Sequence, residues 1–377
     1  MRRSIIFAIC SVFLVASIPI LGQEPAKKVS SYRDSLDHAI DMSDWLVQKK
    51  GLLIIPSIIT EPAMGYGVAG AAVFFHSSYT EKQGPPSMSG ILGAVTENGT
   101  WGFGLFHIGY WKQDRLRYMG AIAKIDANLG YYGSGRLEIL KDESINLNLN
   151  SWLVFQQLKG RIGNSDFFAG GKYIFFSTDN TLGDSLSLSE FNGLEFSSTL
   201  SEASIILNYD SRNNVFSPKK GFFINFTTTY SDPWFGGEGI YGRLGTDILG
   251  YFPTSEKLMV GMRYGSLYAL GDVPFWARPF VQLRGAPLMK YQDNAVTLFE
   301  TEVNWNFYKR WDLVGFTGMG NAFSSYSEFE NGKSVHTLGM GFRYLLMRKL
   351  GAKMGVDVAM SQDDFAVYIV FGNAWLR

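Results

Sequence analysis

Cysteine is nearly missing from this chain: Cys10 is the single one among 377 residues. It lies inside the apolar run Ile5–Leu21, which follows Arg2 and Arg3 and leads into Gly22-Gln23-Glu24-Pro25. That layout reads as a secretory signal peptide over residues 1–22. Without the leader no cysteine remains, which excludes disulfides and thiolate chemistry. Charge is also scarce, at 18% of residues against about 25% in soluble domains. The 34 basic and 34 acidic residues cancel, and loss of Arg2 and Arg3 with the leader leaves 32 against 34. No positive field is available for phosphates, so nucleic acid is not an expected partner. The four histidines, His38, His76, His107 and His336, stand singly, with neither cysteine nor Glu-x-x-His spacing beside them. No metal site is therefore expected, nor any cofactor. No Gly-x-Ser-x-Gly elbow or phosphate loop occurs. His107, in Leu105-Phe106-His107-Ile108, is a catalytic candidate by position alone and reads as an isolated wall histidine; the chain is not expected to be an enzyme. Beyond the leader no apolar run is long enough for a membrane helix.

What the chain does have is glycine (42), phenylalanine (29), tyrosine (19) and tryptophan (9), arranged in segments that alternate with a period of two. Export, low charge, many aromatics and no second apolar run together predict an all-β fold: a transmembrane antiparallel β-barrel of the outer-membrane type. The alternation predicts strands over 52–60, 64–76, 87–97, 100–111, 115–128, 142–158, 165–178, 193–209, 220–231, 237–250, 256–269, 294–308, 312–323, 335–348, 351–361 and 364–376. That makes sixteen, and an even count suits a closed wall in which every backbone group at membrane depth must be paired. In the twelfth strand Phe299, Val303, Trp305 and Phe307 share the face suited to lipid. Glu300, Glu302, Asn304 and Asn306 share the other. In the last strand Val367, Ile369, Phe371 and Trp375 are expected to face lipid. Aromatics near strand ends, among them Tyr66, Trp101, Trp111, Tyr131, Tyr230, Tyr251, Trp276 and Trp375, are expected to lie in the headgroup layer.

The expected organisation is a leader over 1–22, a short periplasmic segment over 23–50 with a helix from Ser35 to Val47, and a barrel over 51–377. Leu36, Ala39 and Ile40 would cover one face of that helix. With a periplasmic N-terminus, connections after odd strands lie outside and those after even strands inside. The Asp210–Gly221 turn is then periplasmic, and the Gly271–Asp293 loop, apolar and carrying Pro274, Pro279 and Pro287, is extracellular. Arg284, between Leu283 and Gly285 in that loop, could equally face solvent or fold into the lumen against Glu300 or Glu302.

Three stretches carry a resemblance. Asp210-Ser211-Arg212-Asn213 with Pro218 and Gly221, Leu283-Arg284-Gly285-Ala286, and Glu300 and Glu302 followed by Val314–Gly320 resemble the barrel domain of the BamA/TamA-like outer-membrane assembly superfamily, the bacterial surface antigen family. The resemblance implies a lumen lock made of Arg284, Gly285, Glu300 and Glu302, a periplasmic turn motif at Asp210, Arg212, Asn213, Pro218 and Gly221, and strand glycines at Gly318 and Gly320. It also implies a weak seam between first and last strands, near Pro56 and Trp375. Gly318 stands where the family has an aspartate, leaving Glu300 or Glu302 to serve alone. Asn213 replaces an acid and Ala286 an aromatic. Residues 23–50 are too few for one of the family's periplasmic POTRA domains. The resemblance implies insertion or movement of proteins or lipids at the outer membrane; the alternatives are a passive pore and a surface-exposed scaffold. Expected partners are outer-membrane lipid and unfolded outer-membrane proteins or periplasmic chains.

Overall fold

The computed structural model describes residues 33–43 except 35, 51–76 except 62, 85–132, 145–182 and 194–375 except 363; the leader lies outside these. Sixteen strands follow one another in the chain and in space: β1 (Leu52–Glu61), β2 (Gly65–Phe75), β3 (Met88–Thr96), β4 (Trp101–Trp111), β5 (Leu116–Tyr131), β6 (Ile145–Arg161), β7 (Phe167–Leu182), β8 (Leu194–Asp210), β9 (Gly221–Ser231), β10 (Tyr241–Pro253), β11 (Leu258–Gly271), β12 (Ala295–Tyr308), β13 (Trp311–Phe323), β14 (Lys333–Met347), β15 (Ala352–Met360) and β16 (Phe365–Phe371). Each is antiparallel to its neighbours, and the sheet closes nearly into a barrel. The period-two pattern drives this. In β12 Phe299, Val303, Trp305 and Phe307 are exposed on the outer face, while Glu300 and Glu302 are buried inside.

The junction of β1 with β16 differs from the other fifteen. No backbone-paired register joins these strands among the described residues. Instead the Thr60 hydroxyl donates to the Val367 carbonyl at 2.8 Å and accepts from the Val367 N–H at 2.6 Å. Pro56 reinforces the asymmetry. The Phe75 N–H donates to the Gly51 carbonyl, and the β1–β2 register runs without a shift from Leu52↔Phe74 to Glu61↔Gly65. Hydrogen-bonded pairs alternate in an antiparallel ladder. Odd-numbered β1 residues therefore bond to β2, and the even-numbered ones, Pro56 among them, turn their backbone groups toward β16. Pro56 removes a donor from the seam edge and none from the β1–β2 ladder.

Three expectations need correction. The last strand ends at Phe371, five residues early, because Gly372 adopts φ +76° and turns the chain inward; Phe371 packs on Phe216 at the lumenal side, and Trp375 is buried in the lumen and does not face lipid at the seam. Tyr131, Tyr251 and Trp276 are likewise buried inside, while Tyr66, Trp101, Trp111 and Tyr230 are exposed as a headgroup belt requires. Periodicity cannot separate these two sets, because a ring suits a packed lumen as well as an interface. Third, the helix expected from Ser35 does not form before Ser43. Residues 33–42 make a tight hairpin closed by an Arg33↔Ile40 bridge, with Leu36 and Ile40 exposed; residues 44–47 lie outside the described set.

Ion pairs hold this hairpin, with Met42 packed on the apolar cluster around Met347 and Leu350. Arg310, in the turn between β12 and β13, bonds Asp37 at 2.6 Å, Asp41 at 2.7 Å, and Asp34. Arg348, in the turn between β14 and β15, also bonds Asp34. The Met42 N–H donates to the Leu346 carbonyl at 2.9 Å. The Arg348 hydrogen bond, helped by the Arg310 charge, lowers the Asp34 pKa from 3.8 to about 2; Arg310 lowers that of Asp37 as well. Both carboxyls are depressed in the docked state, so docking is fully supported above pH 3.8 and lost as pH falls through about 2. Pepsin digestion should thus spare residues 33–43 near pH 4 and cut them as pH approaches 2 (both about). Arg310→Ala should expose them at the higher pH too, and protection unchanged by that variant would refute the clamp.

Candidate functional site

The candidate site is where the loop between β11 and β12, residues 272–294, meets the inner wall. Its first part crosses the outer mouth. Trp276 packs on Phe176 of β7 with ring centroids 5.5 Å apart, and the Ala277 carbonyl accepts from Arg243 Nη2 of β10 at 2.8 Å. Arg243 in turn pairs with Glu202 of β8 at 3.0 Å. The chain then descends along β13. Glycine is required there: a Cβ at Gly320 would lie 2.3 Å from Val281 Cγ1, and one at Gly318 3.0 Å from Leu283 Cδ2.

This descent delivers Arg284 to three carboxylates. Its guanidinium stands 2.7 Å from Glu300, 2.8 Å from Glu302 and 2.7 Å from Asp357, with its Cζ 3.5 Å from the centroid of the Phe316 ring. Asp357, on β15 and fully buried, also accepts two bonds from Arg343 of β14, at 2.6 and 2.8 Å. Arg263 of β11 lies 3.6 Å from Glu300. Three guanidiniums thus face three carboxylates, and the cluster is neutral as a whole. Buried ions of this kind need their partners, since removing one leaves an uncompensated charge. The expectation that a single glutamate serves alone is corrected: Leu283 covers Gly318, and the second acidic anchor comes two strands further on. Asp357 did not stand out in the sequence, although an acid between Val356 and Val358, in a strand whose only other charge is Lys353 near its start, is the signal that marks it as lumenal.

Beyond Arg284 the loop touches both edges of the seam. The Gly285 N–H donates to the Tyr368 hydroxyl of β16 at 3.0 Å, and the Leu288 N–H to Glu61 Oε1 of β1 at 2.9 Å. Lys290 pairs with Asp364, just before β16, at 2.8 Å. Gly285 has φ +91°, and a Cβ there would press on the Met360 backbone at 3.0 Å. Ala286 is buried with Val281 and Leu283 against Val296 and Leu298. From the other end of the chain Trp375 reaches the same cluster: its indole N–H donates to Glu300 Oε2 at 2.6 Å, and its ring packs on Tyr251. No motif indicated that contact.

The turn between β8 and β9 is a separate assembly. Arg212 grips Asp210 through Nε at 2.8 Å and Nη2 at 3.0 Å, and Arg117 of β5 bonds the same carboxylate at 2.5 Å. Asn213 Oδ1 accepts from the Lys219 and Lys220 N–H groups at 3.0 and 3.1 Å. Only an acceptor oxygen is needed, so an amide serves where an acid would. Gly221, at φ +107°, passes so near Ser211 that a Cβ would lie 2.3 Å from its carbonyl oxygen; Pro218 lies in the same turn. Asn214 reaches the Leu350 carbonyl between β14 and β15 at 2.8 Å, and Phe216 packs with Leu53, Met347 and Leu350. The turn therefore crosses the periplasmic mouth. His107 faces outward on β4, where Ser89 Oγ bridges its Nδ1 and His76 Nε2, each at 2.7 Å. These polar groups satisfy one another on an apolar face.

Residues 134–281 match the Omp85 superfamily domain. The matched segment includes the β8–β9 turn and stops at Val281, three residues before Arg284. In fold the barrel is similar to BamA from Haemophilus ducreyi lacking POTRA domains 1–3, at 13% identity and TM-score 0.55, over 86% of this chain and 70% of that one. It is also similar to CdiB from Escherichia coli, at 10% identity and TM-score 0.57, over 84% of this chain and 62% of that one. None of the curated proteins matches the sequence. The fold is that of an outer-membrane barrel.

Arg284→Ala should strand Glu300, Glu302 and Asp357 and lower barrel stability by about 3–5 kcal/mol. The readout is a fall in the temperature at which the purified barrel loses its compact migration on unheated gels. Arg284→Lys keeps the charge but not the fork, and should fall between. Equal transition temperatures for all three proteins would contradict the assignment.

Proposed function

We propose that this barrel acts in the assembly or translocation of proteins at the outer membrane, with the β1–β16 seam as the working element. The observation that carries the reading is the seam's construction. Where every other strand pair has a backbone ladder, this one rests on the Thr60 hydroxyl at Val367 and on contacts from the β11–β12 loop to Glu61, Tyr368 and Asp364. Side-chain pins can be released without dismantling a ladder. The exposed edges then offer unpaired N–H and C=O groups, a template onto which an extended polypeptide adds as a strand. Pro56 keeps the β1 edge one donor short, which favours opening. The Omp85 domain and the fold shared with BamA and CdiB support the same reading. Arg284, Gly285, Glu300 and Glu302, with Asp357, act in this scheme as the lock that keeps the loop in place. A passive pore fits less well, because the loop and Trp375 occupy the lumen.

In a Cys10→Ser background, Thr60→Cys with Val367→Cys allows the seam to be closed covalently. Reconstituted in liposomes, the oxidised protein should no longer accelerate folding of a small outer-membrane barrel client, and reduction should restore the rate. Full cross-linking with an unchanged rate would reject seam opening.

A further inference from the structure

The lumen of an outer-membrane barrel is ordinarily polar, with apolar side chains turned to lipid. On one side of this barrel the rule fails. The β11–β12 loop fills the lumen beside β11–β15, and the opposite side keeps a chamber of about 570 Å³, a size suited to a small ligand. Its wall toward β1–β6 is built from Ile55, Val73, Met88, Phe106, Ile108 and Phe155. The outer faces of the same strands carry Ile91, Phe103 and Leu105, so β3 and β4 are apolar on both sides. Val73 and Met88 pack with Phe216 of the β8–β9 turn, while Ile55, Phe106 and Ile108 stay only partly buried; apolar surface facing water is costly, and nothing in the lock or the seam requires it.

The far side of the chamber is different in kind. Lys159 and Lys172 both line it. Lys172 is paired with Gln157 in the β6–β7 register, two residues from Lys159, which sets the lysines about 7–8 Å apart on the diagonal. Lys159 Nζ donates to Asn208 Oδ1 at 3.3 Å and lies 5.7 Å from the Phe223 ring centroid. Among the described residues neither lysine has a carboxylate within ion-pair distance. Glu202 is held by Arg243 and by the Tyr241 hydroxyl. Asp247 shares the chamber and is itself engaged. A hydrocarbon wall facing two lysines complements one kind of molecule. We propose that the chamber binds a single-chain anionic amphiphile, its acyl chain against Phe106, Ile108 and Phe155 and its acid group at Lys159 and Lys172. The lining includes Ile55 of β1 and Phe371 of β16, so the site abuts the seam and, through it, the surrounding lipid. Binding does not depend on the proposed assembly role.

Palmitate carrying a diazirine in its chain is the probe, with the full-length protein in phosphatidylcholine vesicles. Strand alternation makes the readout decisive, since Phe106 and Ile108 point into the chamber while Leu105 faces the bilayer. Photolabel should appear on Met88, Phe106 and Ile108 and be displaced by excess palmitate. Hexadecanol bearing the same diazirine should label these residues about tenfold less at equal concentration, the loss of one charge-assisted hydrogen bond. Lys172→Gln should lower palmitate labelling by a similar factor, and Ala71→Trp, which fills the chamber, should abolish it, both in protein whose compact gel migration shows that it is folded. Labelling confined to Ile91 and Leu105, inner labelling that palmitate does not displace, or equal labelling by the alcohol would each overturn the proposal.

Discussion

The structure depends on one buried charge cluster. Arg284 enters the lumen from a loop that begins at the outer mouth, and it is held there by three carboxylates on β12 and β15 whose charge Arg263 and Arg343 balance only in part. Desolvation offsets much of the Coulomb gain in such a cluster, so its effect is to select one arrangement more than to add stability. The selected arrangement has consequences on every side. Val281 and Leu283 must lie on β13, which therefore carries glycine at 318 and 320. Glu300, fixed by Arg284, accepts the indole of Trp375 and so seats the C-terminal tail. The residues that follow Arg284 reach Tyr368, Glu61 and Asp364, one set of contacts for each edge of the seam. A loop displaced from the cluster would release all of these together.

The periplasmic end is organised on the same physical terms but independently. There Arg310 and Arg348, both in turns, hold Asp34, Asp37 and Asp41 of the hairpin, while Arg117 of β5 and Arg212 hold Asp210 at the end of β8. The β8–β9 turn crosses the mouth to Leu350, and the N-terminal hairpin sits on the turns beside it. Lumen and mouth are thus closed by three segments fixed through ion pairs, while the chamber between them keeps an apolar wall that, among the described residues, Phe216 of the β8–β9 turn covers only in part.

Much of this was legible in the sequence, for a plain reason. A period of two is forced on any strand with lipid on one side, so the sixteen strands and the inward glutamates of β12 could be read from alternation; the place of Arg284 between the eleventh and twelfth strands left solvent and lumen equal, and only the family resemblance pointed inward. What could not be read depends on geometry across the barrel. Asp357 lies 73 residues from Arg284, and only closure of the wall brings them together. Trp375 has the parity of a lipid-facing residue, yet the turn at Gly372 reverses it. Asp34, Asp37 and Asp41 have a spacing that suits a helix, but they surround one guanidinium from a hairpin. The seam's missing ladder is likewise invisible in any one strand, because each of β1 and β16 is by itself an ordinary strand.

The most direct test of the account is conductance. In planar bilayers the wild-type barrel should be almost closed, with Arg284 holding the loop in the lumen, and Arg284→Ala should show frequent large openings at the same protein density. A wild-type barrel with a stable open conductance that Arg284→Ala leaves unchanged would contradict the claim that this cluster keeps the lumen shut.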